Sequence, residues 1–142
     1  MSSQQIANHQ ADTEIFHGDA VCKQNASQLF HEMSLPRGLL PLDDLIEVGY
    51  NRTTRFVWFK QRKRKEHRFT AIRRTVSYDN EVTAFIEERR MWRLTGVKSK
   101  ELLTWVAVSE IFINDSNLNK ITFTNPTGIS WSFAVSAFEI NE

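Results

Sequence analysis

Leu35-Pro36-Arg37-Gly38-Leu39-Leu40-Pro41 divides the chain into two unlike parts. Each proline fixes its own φ and pushes the leucine before it out of the helical region. Gly38 permits a sharp turn between the two. A soluble helix could not hold this stretch, and a flexible linker would not carry its three leucines. It is a rigid joint, with a helical start before it and a β-rich remainder after it. Leu39 and Leu40 are expected to plug one end of a barrel while the prolines fix the path.

On the N-terminal side, residues 1–18 are polar without a clean period, and a partly disordered segment is expected there. Asp19 can cap a helix through its carboxylate. Val21, Cys22, Ala26, Leu29, Phe30 and Met33 then recur at helical spacing, which gives one apolar face until Pro36 bars continuation.

On the C-terminal side the period changes to two. Ile46–Tyr50 and Arg55–Lys60 flank a turn, and Phe56 and Trp58 face one way while Val57 and Phe59 face the other. Aromatic residues on both faces predict a strand covered on both sides, or one lining a cavity. Glu66–Ile72, Thr75–Tyr78, Val82–Ile86 and Met91–Leu94 follow as shorter strands, and β-branched residues predict one long strand within Leu102–Ile113. Turn clusters at 115–119 and 125–128 bracket Ile121–Phe123. In the last strand Ile129, Trp131, Phe133, Val135 and Ala137 share a face opposite small polar residues. The fold class predicted is mainly β: an antiparallel barrel-like or sandwich domain of about seven to nine strands with one N-terminal α-helix.

A chain of 142 residues suits a single core, here residues 19–142. Its net charge of +1 sets up no global field toward nucleic acid or membrane. One cysteine, Cys22, excludes an internal disulfide. The polar start lacks the blocks of a signal peptide, and no apolar run reaches the roughly 20 residues of a membrane span, so a cytoplasmic protein is expected.

Several ordered motifs now carry a resemblance. Leu35–Pro41, Val48-Gly49-Tyr50-Asn51, Phe56-Val57-Trp58, Leu94-Thr95-Gly96-Val97-Lys98-Ser99-Lys100-Glu101-Leu102, Leu103-Thr104-Trp105-Val106, Pro126-Thr127-Gly128 and Phe133–Phe138 resemble the plant domain-of-unknown-function family 538 over about residues 20–139. The resemblance implies a plant origin, a mostly β, barrel-like domain with an N-terminal helix, and no established catalytic site. It also implies a comparison with lipid-binding barrels of the bactericidal permeability-increasing type, and a proposed handling of lipids or chlorophyll-like pigments. The chain looks like the branch without a signal peptide. It departs from the family in Glu88-Arg89-Arg90, where a glycine turn is expected, and in the basic Arg62-Lys63-Arg64-Lys65.

Two constellations could carry function. Lys60, Arg62, Lys63, Arg64, Lys65, Arg68, Arg73 and Arg74 stand against one acid, Glu66, so residues 60–74 carry +7. They form a candidate anion-binding loop for phospholipid headgroups, nucleic acid or an acidic partner, although nucleic acid is not the partner expected. The tetrad also fits a nuclear-localisation signal, and the plain alternative is a solvated hairpin that keeps strand edges soluble. Phe56, Trp58, Trp105, Trp131 and Phe133 form a candidate apolar cavity, against ordinary core packing.

The remaining candidates lack a motif. His9, His17, His31 and His67 are scattered without metal-ligand spacing, and Cys22 lies on the apolar helix face as a small hydrophobe. Asp43, Asp44 and Glu47 suit capping or turns. No cofactor, metal or catalytic residue is predicted. The expectation is a non-enzymatic binding module for an apolar or amphipathic ligand, lipid- or pigment-like, or for an anionic membrane surface. The alternatives are a protein-interaction adaptor for an acidic partner and a lipid- or pigment-ester hydrolase.

Overall fold

The computed structural model describes residue 6 and residues 13–139. Strand β1 (Glu14–His17) is followed by helix α1 (Asp19–Glu32), then the joint. Next come β2 (Leu45–Tyr50), β3 (Phe56–Gln61), β4 (Lys65–Phe69), β5 (Arg74–Glu87) and β6 (Arg90–Glu101). After them run β7 (Thr104–Ala107), β8 (Glu110–Ile113), β9 (Lys120–Thr124), β10 (Ser130–Ala134) and a 3-10 turn over Val135–Phe138.

The domain is mainly β with an N-terminal helix, as the period change at the joint predicts. The ten strands form one antiparallel sheet along the path β1-β2-β3-β5-β6-β8-β9-β10, with β4 added on β5 and β7 on β6. The path is open, so the barrel-like expectation gives way to a sheet with edges at β1 and β10. Most of the polar segment expected at 1–18 lies outside the described residues. Residues 14–17 are ordered as β1, which pairs with β2 from Glu14↔Tyr50 to His17↔Glu47.

Helix α1 ends where the prolines require. Met33 N–H donates to the Leu29 carbonyl at 3.0 Å, and Leu35 N–H reaches the Phe30 carbonyl at 2.9 Å. Cys22, Leu29, Phe30 and Met33 are buried, whereas Val21 is exposed. Asp19 is the first helical residue, not the cap. Its carboxylate accepts the Leu45 N–H at 2.8 Å, which ties the helix start to β2. Leu35, Leu39, Leu40 and Leu42 join the main core, and the Tyr78 hydroxyl donates to the Leu39 carbonyl at 3.1 Å.

Strands β5 and β6 form a long hairpin whose two halves have different neighbours. Near its turn, β5 pairs with β3 and β6 with β8. At the far end, β5 pairs with β4 and β6 with β7. The register shifts between Tyr78 and Thr83. Gly96, at φ +82°, crosses this irregularity where a side chain would strike the Glu81 carbonyl. The sequence predicts two strands in place of β5, an end to β6 at Leu94 and one strand in place of β7 and β8. The structure corrects all three, because the register shift bends the β5–β6 hairpin without ending it, and β7 and β8 pair with different halves of β6.

Strand β3 is covered on both faces. Val57 and Phe59 enter the main core, while Phe56 and Trp58 form a smaller cluster with Ile6, flanked by Ile15 and Phe85. Trp58 fits because its cross-strand neighbour is Gly49, where any Cβ would overlap the indole ring.

A candidate ligand pocket beneath the joint

The joint is one wall of a cavity of about 420 Å³. Gly38, Leu40, Pro41 and Leu42 supply that wall, and Ala26, Ser27 and Phe30 of α1 supply the next. Leu45 of β2 and Phe59 of β3 lie at its floor, and His67 and Phe69 of β4 close a third side. Ala137, Phe138 and Glu139 complete it. Gly38 does not adopt the left-handed conformation; the positive-φ glycines are Gly18, Gly96 and Gly128. Its N–H donates instead to the Phe138 carbonyl at 2.9 Å, which fastens the joint to the C-terminal turn.

The walls are rigid because their aromatic rings interlock. Phe30 meets Phe59 edge-on at 6.1 Å, Phe69 meets Phe138 at 4.9 Å, and His67 meets Phe69 edge-on at 4.6 Å. Strand alternation explains the placement on β4. Lys65, His67 and Phe69 point toward the helix side, and Glu66 and Arg68 point to solvent.

Two cations, Lys23 and Arg37, line this largely apolar space. Lys23 is held by Asp19 at 3.3 Å and Asp43 at 3.4 Å. Arg37 is exposed, and among the described residues no carboxylate lies within ion-pair distance of it. Burial, with the nearby charge of Lys65, pushes His67 below the ordinary imidazole range, while Asp43 opposes this. The ring is therefore neutral at pH 7 and offers the pocket one donor and one acceptor.

The predicted basic loop divides into two groups. Lys60 pairs with Glu47 at 3.4 Å, Arg64 with Glu66 at 2.8 Å and Lys65 with Asp43 at 2.7 Å. Arg64 also donates to the Ser77 hydroxyl. Arg74 pairs with Glu101 at 3.0 Å. The Lys65 hydrogen bond holds the Asp43 carboxyl below its ordinary range against a smaller effect of burial, with Lys23 assisting. Arg62, Lys63, Arg68 and Arg73 are exposed, and among the described residues none has an ion pair.

The predicted aromatic cavity is not assembled. Phe56 and Trp58 sit in the smaller cluster, and Phe133 packs against Phe123 at 5.8 Å beside the main core. Trp131 is opposite Phe123 on the outer hairpin, and Trp105 lies on β7 under the Lys100 ammonium at 5.8 Å. None of the five lines the pocket beneath the joint. The aromatic residues that do line it, Phe30, Phe59, Phe69 and Phe138, come from four separate elements. The one sequence signal pointing to them was the joint itself.

The other candidates have structural roles. Cys22 is fully buried, and its thiol donates to the Phe16 carbonyl at 3.3 Å. Burial pushes this thiol up, with Asp19 and Glu47 adding to it, so it stays protonated. Glu47 accepts the Trp58 indole N–H at 2.8 Å and a bond from His17 at 3.0 Å. Asp44 gives its carbonyl to Arg62 N–H at 3.1 Å. His31 lies in the exposed last turn of α1, and His9 is outside the described residues. Among the described residues no group of three His, Cys, Asp or Glu could hold a metal. No helix among them is long and apolar enough to cross a membrane.

A family model described as "Protein of unknown function, DUF538" matches residues 26–139, the greater part of the chain. The match begins at Ala26 and ends at Glu139, both of which line the pocket. No curated protein and no solved structure matches the chain.

Proposed function

The chain belongs to the DUF538 family of unknown function, and from the pocket beneath its joint we propose that it binds a small amphipathic molecule with an anionic head. The observation that carries this reading is an apolar cavity of about 420 Å³ with the exposed Arg37, which has no carboxylate partner among the described residues, at its lining. That volume lies in the range of roughly 300–1,000 Å³ that suits small-molecule ligands. An apolar body would rest on Leu42, Leu45, Phe59 and Phe69. An anionic head would meet Arg37, with Lys23 as a second cation and neutral His67 as a hydrogen-bonding group. The reading is of binding without turnover.

Anilinonaphthalene sulfonate, an apolar ring system with one anionic group, is a direct probe. Its fluorescence is expected to rise saturably with one site per chain. Ala26→Leu, which fills the cavity from the helix side, is expected to remove that signal while the far-ultraviolet circular dichroism stays unchanged. Dodecanoate is expected to displace the probe better than dodecanol, and Arg37→Ala to narrow that difference. Saturable binding that survives Ala26→Leu would place the probe elsewhere and end this reading.

A further inference from the structure

The β6–β7 turn holds the most exposed apolar side chains in the described structure. Leu102 and Leu103 are 96% and 94% exposed, at the tip of a hairpin closed by Glu101↔Thr104. Leu102 also sits at φ +55°, in the left-handed region where leucine is strained and Asn or Gly is at ease. Both solvent and backbone thus favour a polar residue here. Two leucines in this place give the fold nothing and must be explained by something outside it.

The surroundings of the tip are cationic. Arg68, Arg73, Arg74 and Lys100 flank Leu102 in a single surface depression between the β4–β5 and β6–β7 turns. Its one carboxylate, Glu101, is taken up by Arg74 at 3.0 Å and by the Ser99 hydroxyl at 2.9 Å. Arg68, Arg73 and Lys100 are exposed and, among the described residues, have no ion pair. Trp105 lies two residues beyond Leu103, half-buried under the Lys100 ammonium. Indole rings of this kind favour the boundary between water and an apolar phase.

We propose that this end of the β4–β5 and β6–β7 hairpins docks on an anionic lipid bilayer, with Leu102 and Leu103 entering the acyl region and Arg68, Arg73 and Lys100 meeting the headgroups. The shape favours a bilayer over a protein. A stable protein interface needs about 800 Å² from each partner around an apolar centre with few charges. Here the apolar centre is two residues wide, projects outward and is ringed by cations. A bilayer takes up such a tip without a matching groove, and its headgroups supply the opposite charge. The tip shares no residue with the pocket beneath the joint, so the two readings stand or fall separately.

The test is flotation of the full chain with vesicles of phosphatidylcholine alone and of phosphatidylcholine with phosphatidylserine. Binding is expected only to the anionic vesicles, with a blue shift of tryptophan fluorescence that Trp105→Phe diminishes. Leu102→Asn/Leu103→Ser is expected to weaken partitioning at least about 100-fold, given the transfer free energy of two leucine side chains, and to leave the melting temperature unchanged or raised. Arg68→Ala/Arg73→Ala is expected to weaken binding and flatten its salt dependence. Equal flotation of the Leu102/Leu103 variant and the parent chain would overturn the proposal. So would a concentration-dependent dimer that the same variant dissolves, with no vesicle binding by the parent.

Discussion

The two ends of the basic hairpin around β4 show how similar residues serve opposite ends. Near the joint, Lys60 and Lys65 are matched by Glu47 and Asp43, and the apolar side chains around them are buried. At the β4–β5 turn, Arg68 and Arg73 have no carboxylate partner among the described residues, and the nearby leucines are fully exposed. At the joint end Lys60 and Lys65 tie β3 to β2 and β4 to the joint around a pocket, whereas Arg62 and Lys63 in the intervening turn are exposed and have no ion pair among the described residues. At the unmatched end Arg74 is held by Glu101, while Arg68 and Arg73 stay exposed to solvent. A count of +7 over residues 60–74 merges the two.

This difference makes stability the readout for one end and binding the readout for the other. The largest effect is expected from Phe59→Ala. The ring is buried at the pocket floor and packs edge-on against Phe30. Its removal should cost about 3–5 kcal/mol in urea unfolding and abolish probe binding, while vesicle flotation below the unfolding transition stays at the parental level. A loss of flotation in that folded range would mean that the two ends are coupled.

Gly49→Ala comes next. The added methyl group would overlap the Trp58 ring, and both residues lie in regular paired strands. Overpacking of this kind costs about 1–3 kcal/mol. Because Trp58 faces the smaller cluster, away from the pocket, the expected result is a lower melting temperature with probe affinity intact. Weakened probe binding would show that β3 moves as a whole and that its two faces are not independent.

The sequence disclosed the faces of strands better than their partners. Val57 and Phe59 against Phe56 and Trp58 follows from alternation alone, and so do the half-buried Trp131 and Phe133, but the expected face from Ile129 to Ala137 is cut short, because Ile129 is exposed and a 3-10 turn begins at Val135. Pairing over long separations leaves no such trace. β6 takes β8 along one half and β7 along the other, which no local pattern encodes. The pocket was hidden for the same reason, since α1, the joint, β4 and the C-terminal turn meet only in the folded chain. Leu102 and Leu103 read as the start of the strand that follows because they head one apolar run to Ile113, whose β-branched residues argue for strand, yet both are exposed in a turn. Their turn carries no Gly, Asn or Pro, so nothing in the sequence announces a break at that point.

The smallest effect tests the matched end through its charge. Burial alone would raise the Glu47 carboxyl, but the Trp58 N–H, Lys60 and His17 outweigh it and hold the group below its ordinary range. A carboxyl lowered by folding adds stability above its unfolded pKa, about 4.3, and that stability is lost as pH falls through the folded value. Glu47→Gln should therefore cost about 1 kcal/mol at neutral pH, the size of a partly exposed charge-assisted network, and should flatten the loss of stability in acid. At the unmatched end, the Arg68→Ala/Arg73→Ala variant should leave the acid limb as it is in the parent, because among the described residues neither has a carboxylate to hold. If that variant altered the acid limb as much as Glu47→Gln does, these arginines would belong to the charge network of the fold, and the division of the basic hairpin into two ends would fail.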